Sequence, residues 1–479
     1  MVKPHFGKPC LTHHCPSVRG RWEARRPGTR RLVTLSLMRL NASLLKSTVV
    51  AALGGLLFGF DSAVIAGATH ALTELYQLSH WMLGFTVAAA LCGTVAGSVL
   101  AGYPGDRWGR RDSLRLMAVL YLISALGCAF AWNWYALLFF RFIGGLGIGG
   151  SSVLGPMYIA EVSPAKWRGR LVGFFQFNVV SGILLAYLSN YLLGQFSLGG
   201  AEWRWKLGVA AFPALLFLVM LYGIPRSPRW LAQKGRVAEA RQALETLGAE
   251  NAESELAEIV ASIDAEHGHA RERLFSRKYR LPILLAVSLA MFNQLSGINA
   301  ILYYLNDIFA KAGFNKVSSD LQAVAIGATN LLFTVIAMSV IDRIGRKRLL
   351  LVGAVGTAVC LGGVSYIFST TRHESMLVWL LVGFIGFFAF SQGAVIWVYL
   401  SEIFPNRVRA QGQSLGSFTH WIMNALISFL FPMVAASSGA LPFAFFGAMM
   451  LVQFVVVLVF FPETKGVSLE QMQKRLGIA

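Results

Sequence analysis

Charge is what this sequence has least of. Only 14% of its 479 residues are Asp, Glu, Lys or Arg, against 56% hydrophobic ones, where a soluble domain carries about 25% charged residues. That deficit excludes a water-soluble protein of this length. Acids are scarcer than bases, 23 against 42, which leaves a net charge of +19. Cysteine is also rare. Cys92, Cys128 and Cys360 sit inside apolar runs and read as small core residues, so no disulfide framework is implied. Cys10 and Cys15 bracket His13 and His14 without a tetrahedral zinc spacing, and no metal site is expected. A phosphate-binding loop ending in Gly-Lys-Ser/Thr is missing. The glycine run at 144–150 follows no strand, which excludes a nucleotide-binding reading. No catalytic constellation stands out, so an enzyme is not expected and no cofactor is called for. The energy for any work must come from an ion gradient or from the substrate's own gradient.

What is present is a series of apolar stretches of about 20 residues, the length that crosses a hydrocarbon core. They do not alternate as barrel strands do, and in lipid the backbone must satisfy itself, so they are helices. Twelve are expected, near 47–69, 81–103, 113–132, 135–160, 171–194, 204–224, 281–310, 321–341, 349–369, 377–401, 411–437 and 440–461. The fold class is therefore all-α membrane protein. A basic tail covers 1–45, a first six-helix bundle 46–230, a polar helical linker 231–279, a second bundle 280–462 and a short tail 463–479. Before Ser47, ten bases from Lys3 to Lys46 face only Glu23. The first tail reads as a disordered segment touching anionic lipid or as an upstream extension of a chain starting at Met38; the distance to the first helix favours the latter.

Short loops carry the orientation signal. Arg107, Arg110, Arg111 and Arg115 follow the second helix, Lys166, Arg168 and Arg170 the fourth. Arg343, Arg346, Lys347 and Arg348 follow the eighth, and Arg407 and Arg409 the tenth. The opposite loops are nearly uncharged. This pattern puts both termini and the linker in the cytoplasm of a cell with the protein in its inner membrane. It also explains the basic balance without nucleic-acid binding. The halves repeat: Asp106-Arg107-Trp108-Gly109-Arg110-Arg111 returns as Asp342-Arg343-Ile344-Gly345-Arg346-Lys347, and Glu161, Pro164 and Arg168 return at equal spacing as Glu402, Pro405 and Arg409. Duplicated halves put a substrate site at their interface near mid-membrane. The two acid–base sets, with Glu161/Arg168 and Glu402/Arg409 as pairs, are expected to form an ionic latch at the cytoplasmic side. Plain topological charge with helix capping is the simpler account.

These loops resemble the sugar porter branch of the major facilitator superfamily. So do Pro225-Arg226-Ser227-Pro228-Arg229-Trp230, Gln294-Leu295-Ser296-Gly297-Ile298-Asn299 and Pro462-Glu463-Thr464-Lys465-Gly466. The resemblance runs from about Leu44 onward. It implies a major facilitator fold of two pseudo-symmetric bundles and sugar transport by alternating access. Arg226 departs from it, since the family usually has Glu there, and only a cytoplasmic contact is affected.

Asp61 lies deep in the first apolar run, where an ionisable group is a functional hypothesis by default, and Arg141 in the fourth run is its natural partner. Loss of water disfavours a carboxylate and a guanidinium favours it. A motion that parts the two raises the acid's proton affinity, and one that joins them expels the proton. A permanent structural ion pair is the other reading. The resemblance favours the switch, because the two match the coupling pair of bacterial sugar–proton symporters.

Sugar hydroxyls both donate and accept, as amides do, and sugar C–H faces pack on aromatic rings. Gln176, Gln294, Asn299 and Asn330 are amides inside apolar runs, and Trp397 and Trp421 are indoles. Interhelical hydrogen bonding and core packing account for any one of them singly. The resemblance puts all six around the sugar and adds Phe58, Asn293, Tyr303 and His420. Asn293 stands where a second Gln is usual, and His420 is similar to a fructose facilitator of the family, a hint of fructose. The expectation is a proton-coupled importer of a monosaccharide, a hexose such as glucose or fructose, acting as a monomer in membrane lipid with protons as the coupling ion. An ion-independent facilitator, a transporter-like sensor and an efflux pump are the rivals; the short C-terminal tail argues against the sensor and the amide lining against a greasy drug pocket.

Overall fold

The structure, a computed structural model, describes residues 41–478 except 165, 197, 269–272, 406 and 468. The expectations for the basic tail, for Cys10 and Cys15 and for a start at Met38 lie outside the described residues. Among the described residues, twelve helices are long and apolar enough to cross a membrane: Ala42–Gly67, His80–Leu100, Arg110–Ala129, Trp134–Val162, Arg168–Gly194 and Gly199–Gly223, then Arg277–Tyr303, Lys316–Ile344, Arg346–Thr370, Glu374–Glu402, Arg409–Ser437 and Leu441–Phe460. They are called the first to twelfth spans in that order. No strand occurs among the described residues. Odd spans that begin the two halves run away from the face bearing the Asp-Arg-x-Gly-Arg loops. That face is called the basic face here and the opposite one the far face.

Local sequence explains where the helices start. Asn41, Asn133 and Asn315 accept hydrogen bonds from the backbone N–H groups of Ser43, Ala136 and Ser318, satisfying donors that a helix N-terminus leaves free. In the two loops of the repeat, Gly109 and Gly345 have φ of 89° and 100°. Only glycine adopts that backbone without strain, so both turns are specified by the same residue.

Packing inside each half depends on missing side chains. A Cβ on Gly145 would lie 2.0 Å from Ala90 O, and one on Gly59 would lie 1.8 Å from Val179 O. The second and fourth spans, and the first and fifth, therefore touch backbone to backbone. The glycine run at 144–150 has a structural reason: Gly145 and Gly149 face the second span, while Gly144, Gly147 and Gly150 face Ser124, Met117 and Tyr121 of the third.

Three of the described spans are broken, and the sixth separates into Glu202–Gly208 and Ala211–Met220. The seventh separates into Arg280–Leu295 and Ile298–Tyr303, with Gly297 at φ 80° as the break, and the short helix Leu305–Lys311 follows it. It was expected as one run over 281–310. The tenth separates at Ser391 into Leu377–Phe390 and Gln392–Glu402. Between the sixth and seventh spans, the helices Pro228–Gln233, Val237–Leu247 and Ala252–Gly268 share a small core of Trp230, Leu231, Ala243, Leu244 and Leu256. Cys128 and Cys360 are buried as expected, but Cys92 is exposed. The second span turns it outward, because its other faces are occupied by small residues against the fourth span and the eleventh.

Candidate functional site

The breaks bring polar side chains to the middle of the molecule. A cavity of about 840 Å³, counting space open to solvent, lies between the halves. Nine of the ten expected substrate residues line it: Phe58 and Gln176 from the first half, and Asn293, Asn299, Tyr303, Asn330, Trp397, His420 and Trp421 from the second. Gln294 does not line it. Its amide is turned to its neighbours, donating to Asn293 Oδ1 at 3.1 Å and accepting from Asn299 Nδ2 at 2.9 Å. Its Nε2 also lies 3.2 and 3.3 Å from the two imidazole nitrogens of His420. Gln294 thus sets the orientation of three lining groups. Phe58, Trp421, His420 and Trp397 form a continuous aromatic wall, with successive ring centroids 5.3, 5.0 and 5.2 Å apart.

The sequence reading missed Ser62, Thr334 and Asn424, which also line the cavity. Each stands four residues after an expected site residue, Phe58, Asn330 and His420, so helical periodicity would have found them. Asn424 donates to the Tyr303 hydroxyl at 3.2 Å.

Asp61 and Arg141 meet on the first-half side of this cavity. Arg141 Nη1 lies 3.2 Å from Asp61 Oδ2, with the side chains 3% and 14% exposed. A second, much smaller pocket touches both of them and shares Ser62 and Tyr303 with the central cavity. Two residues therefore form the partition between the ion pair and the space lined with amides.

At the basic face the charges pair differently from the expectation. Glu161 accepts from Arg110 Nε at 2.9 Å and from Ser227 Oγ at 2.5 Å. Glu402 accepts from Arg346 Nη2 at 2.8 Å and from Thr464 Oγ1 at 2.6 Å. Arg110 also pairs with Asp106 at 3.1 Å and Arg346 with Asp342 at 2.9 Å. Tyr158 donates to Pro225 O and Tyr399 to Pro462 O, so the repeat extends to the exits of the sixth and twelfth spans. Arg168 is exposed, and Arg409 donates to Phe404 O at 3.4 Å. Neither pairs with the glutamate seven residues before it in this structure, because Pro164 and Pro405 turn the chain between them. Arg107 donates to Tyr103 Oη at 2.6 Å, and Arg343 is exposed at the loop. The contacts of Arg110 and Arg346 stay inside their own half.

The departure at Arg226 has a local compensation. Glu463 accepts from the backbone N–H groups of Arg346 and Lys347 at 2.9 and 3.1 Å, capping the ninth span. At the matching place in the first half, Arg226 pairs with Asp112 at 2.9 Å, and Asp112 itself sits in the first turn of the third span. The acid and base have changed places, and the helix start keeps its negative charge.

The far face is sealed, and beside its nearly uncharged loops it holds a small cluster of charges. A Cβ on Gly84 of the second span would lie 2.2 Å from Phe429 O of the eleventh, and Tyr187 donates to Leu302 O at 2.7 Å. Glu202, Lys206, Lys316 and Asp320 also lie there. Trp397, toward the basic face, is 37% exposed, while Tyr303 toward the far face is 3% exposed.

Comparison with known proteins agrees with this geometry. The family described as "Sugar (and other) transporter" matches residues 47–476. The D-xylose-proton symporter of Escherichia coli is 36% identical over 467 residues, covering 89% of this chain and 94% of that protein. The arabinose-proton symporter of Bacillus subtilis is 37% identical, covering 88% and 93%. Among solved structures, an inward open conformation of the E. coli xylose transporter superposes with a TM-score of 0.81 at 35% identity, covering 90% of this chain and 99% of that one. A proton:xylose symporter structure bound to 6-bromo-6-deoxy-D-glucose superposes at 0.75 with 34% identity, covering 91% and 100%. Twelve apolar helices in two halves, an amide- and indole-lined cavity between them and these matches along nearly the whole described chain have one meaning: the chain is an integral multi-pass membrane protein and a transporter, and it belongs to the sugar porter family of the major facilitator superfamily.

Proposed function

We propose that this protein imports a monosaccharide together with protons, by alternating access, with its basic face in the cytoplasm and the central cavity open toward that side. The observation that carries the reading is the place of the Asp61–Arg141 pair. It lies one partition away from the amide-lined cavity, and Ser62 and Tyr303 belong to both spaces. A rearrangement of the cavity wall around a sugar is therefore felt at the pair. When the pair parts, Asp61 takes a proton; when it closes, Arg141 displaces it. Rocking of the halves links the two events. Relatives described as sugar–proton symporters support the same reading.

The cavity supports a hexose. Asn293 is one methylene shorter than a glutamine, which leaves space for a hydroxymethyl group. The Phe58–Trp421–His420–Trp397 wall offers an apolar surface for a sugar face, and Gln176, Asn299, Asn330 and Asn424 can each donate and accept. Addition of sugar to de-energised cells carrying the protein is expected to alkalinise the medium, and uptake is expected to be competed by glucose or fructose more strongly than by xylose. Sugar uptake with no proton movement would instead mark an ion-independent facilitator.

A further inference from the structure

The far face holds a cluster of four charges that neither the repeat nor the site explains. Lys206 of the sixth span is 1% exposed, although it carries an ammonium group. Its Nζ lies 2.8 Å from Glu202 Oε1 one turn earlier, donates to Gly67 O at 3.2 Å, and lies 3.6 Å from Asp320 Oδ2. Asp320 belongs to the eighth span, in the other half, and is 2% exposed. Glu202 in turn receives Lys316 Nζ, also from the eighth span, at 2.5 Å. Asn306, just beyond the seventh span, donates to Asp320 Oδ1. Two ion pairs thus cross between the halves at the sealed face. By contrast, the Arg110 and Arg346 clusters of the basic face keep to one half each.

We propose that Lys206, Asp320, Glu202 and Lys316 form a reversible charge latch that holds the far gate shut and is released once per transport cycle. The proposal rests on the alternating-access reading and adds to it a device that biases the resting population. Two features make the latch releasable. First, removing one partner from a buried pair normally leaves an uncompensated charge, which is strongly unfavourable. Here each half contains one acid and one base four residues apart. On separation Glu202 keeps Lys206, and Asp320 has Lys316 one turn before it on the same span. Neither surface is left with a net charge. Second, the ammonium of Lys206 has three acceptors, Gly67 O, Glu202 and Asp320, and only the last belongs to the other half. Opening exchanges that one contact for water and leaves the other two. The geometry is that of a two-state element whose closed form gains the cross-half attraction in a low-dielectric seam.

The test measures gate distance directly. Spin labels are placed on far-face cysteines at Leu75 and Met376, both more than half exposed, in a protein whose native membrane cysteines are replaced and which still transports. Asp320→Asn keeps the shape of the side chain and its bond with Asn306. It is expected to raise the long-distance, far-open population about five-fold or more relative to the parent, the low end of ordinary coupling between states. Lys316→Gln, a change at an exposed side chain, is expected to move the population the same way by less. If both variants fold, transport and keep the parental distance distribution, the latch is overturned while alternating access stands. If the parent itself shows one far-face distance with and without sugar at every pH tried, alternating access is overturned and the latch with it.

Discussion

Arg141 holds Asp61 by one nitrogen: Nη1 lies 3.2 Å from Asp61 Oδ2 and 3.5 Å from its backbone oxygen, while the buried Nε has no hydrogen-bond partner among the described residues. A permanent structural pair at this depth would be expected to be bidentate and fully satisfied. A pair held by one bond, with a donor to spare, has a second arrangement within reach. Arg141→Gln removes the counter-charge from a buried acid and should cost about 3–5 kcal/mol of stability. Thermal unfolding in detergent checks this, and an unchanged melting temperature would mean that the pair contributes nothing to the fold.

Gln176, Asn299 and Asn330 line the cavity from three different spans. Truncating any one to alanine leaves a sugar hydroxyl without a partner in a desolvated site. The expected loss is about 1–3 kcal/mol of binding, or roughly 5- to 150-fold in apparent affinity. Competition of radiolabelled uptake reads this directly; variants with wild-type affinity would remove those amides from the site.

Gln294 touches the cavity only through Asn293, Asn299 and His420. Gln294→Glu alters those hydrogen bonds while leaving every lining residue in place in the sequence. Sugar preference is expected to shift more than maximal rate, because the orientation of three lining groups changes together. An unaltered preference across a panel of xylose, glucose, galactose, fructose and inositol would contradict that positioning role.

The glutamates of the basic face are equivalent in sequence and unequal in burial. Glu161 is 9% exposed and Glu402 28%. Removing Glu161 leaves the buried Arg110 with only the exposed Asp106 as counter-charge, which should cost up to about 3–5 kcal/mol. Glu402→Ala should cost less, since water reaches its pair with Arg346. Chemical or thermal denaturation of the two variants side by side tests the order; equal losses would mean that burial does not govern these pairs.

Much of this was legible in the chain because lipid makes a strong demand. A helix that must satisfy its own backbone over about 30 Å of hydrocarbon announces itself by length and composition. Polar residues inside such helices are costly enough to mark candidates, and Gln176, Asn299 and Asn330 do line the cavity, while Phe58, Asn293, Tyr303 and His420 were expected there only through the family resemblance. Pairings at helix ends were less legible. Glu161 and Arg168 are close in sequence, yet the turn at Pro164 points the arginine outward, and Arg110, 51 residues away, reaches the acid instead. Lys206 and Asp320 gave no sign of each other, since a charge at a span's end normally belongs to the interface. Only the packing of the eighth span against the fifth, with the start of the sixth beside it, puts them in one seam.

The account stands most directly on Asp61. Asp61→Asn keeps the size of the side chain and its place beside Arg141 but cannot exchange a proton. In vesicles with an imposed proton gradient, the account predicts that this variant brings sugar to equilibrium and no further, while sugar exchange without a gradient stays within a few-fold of wild type. Accumulation of sugar against its gradient to the wild-type level by the Asn variant would contradict it.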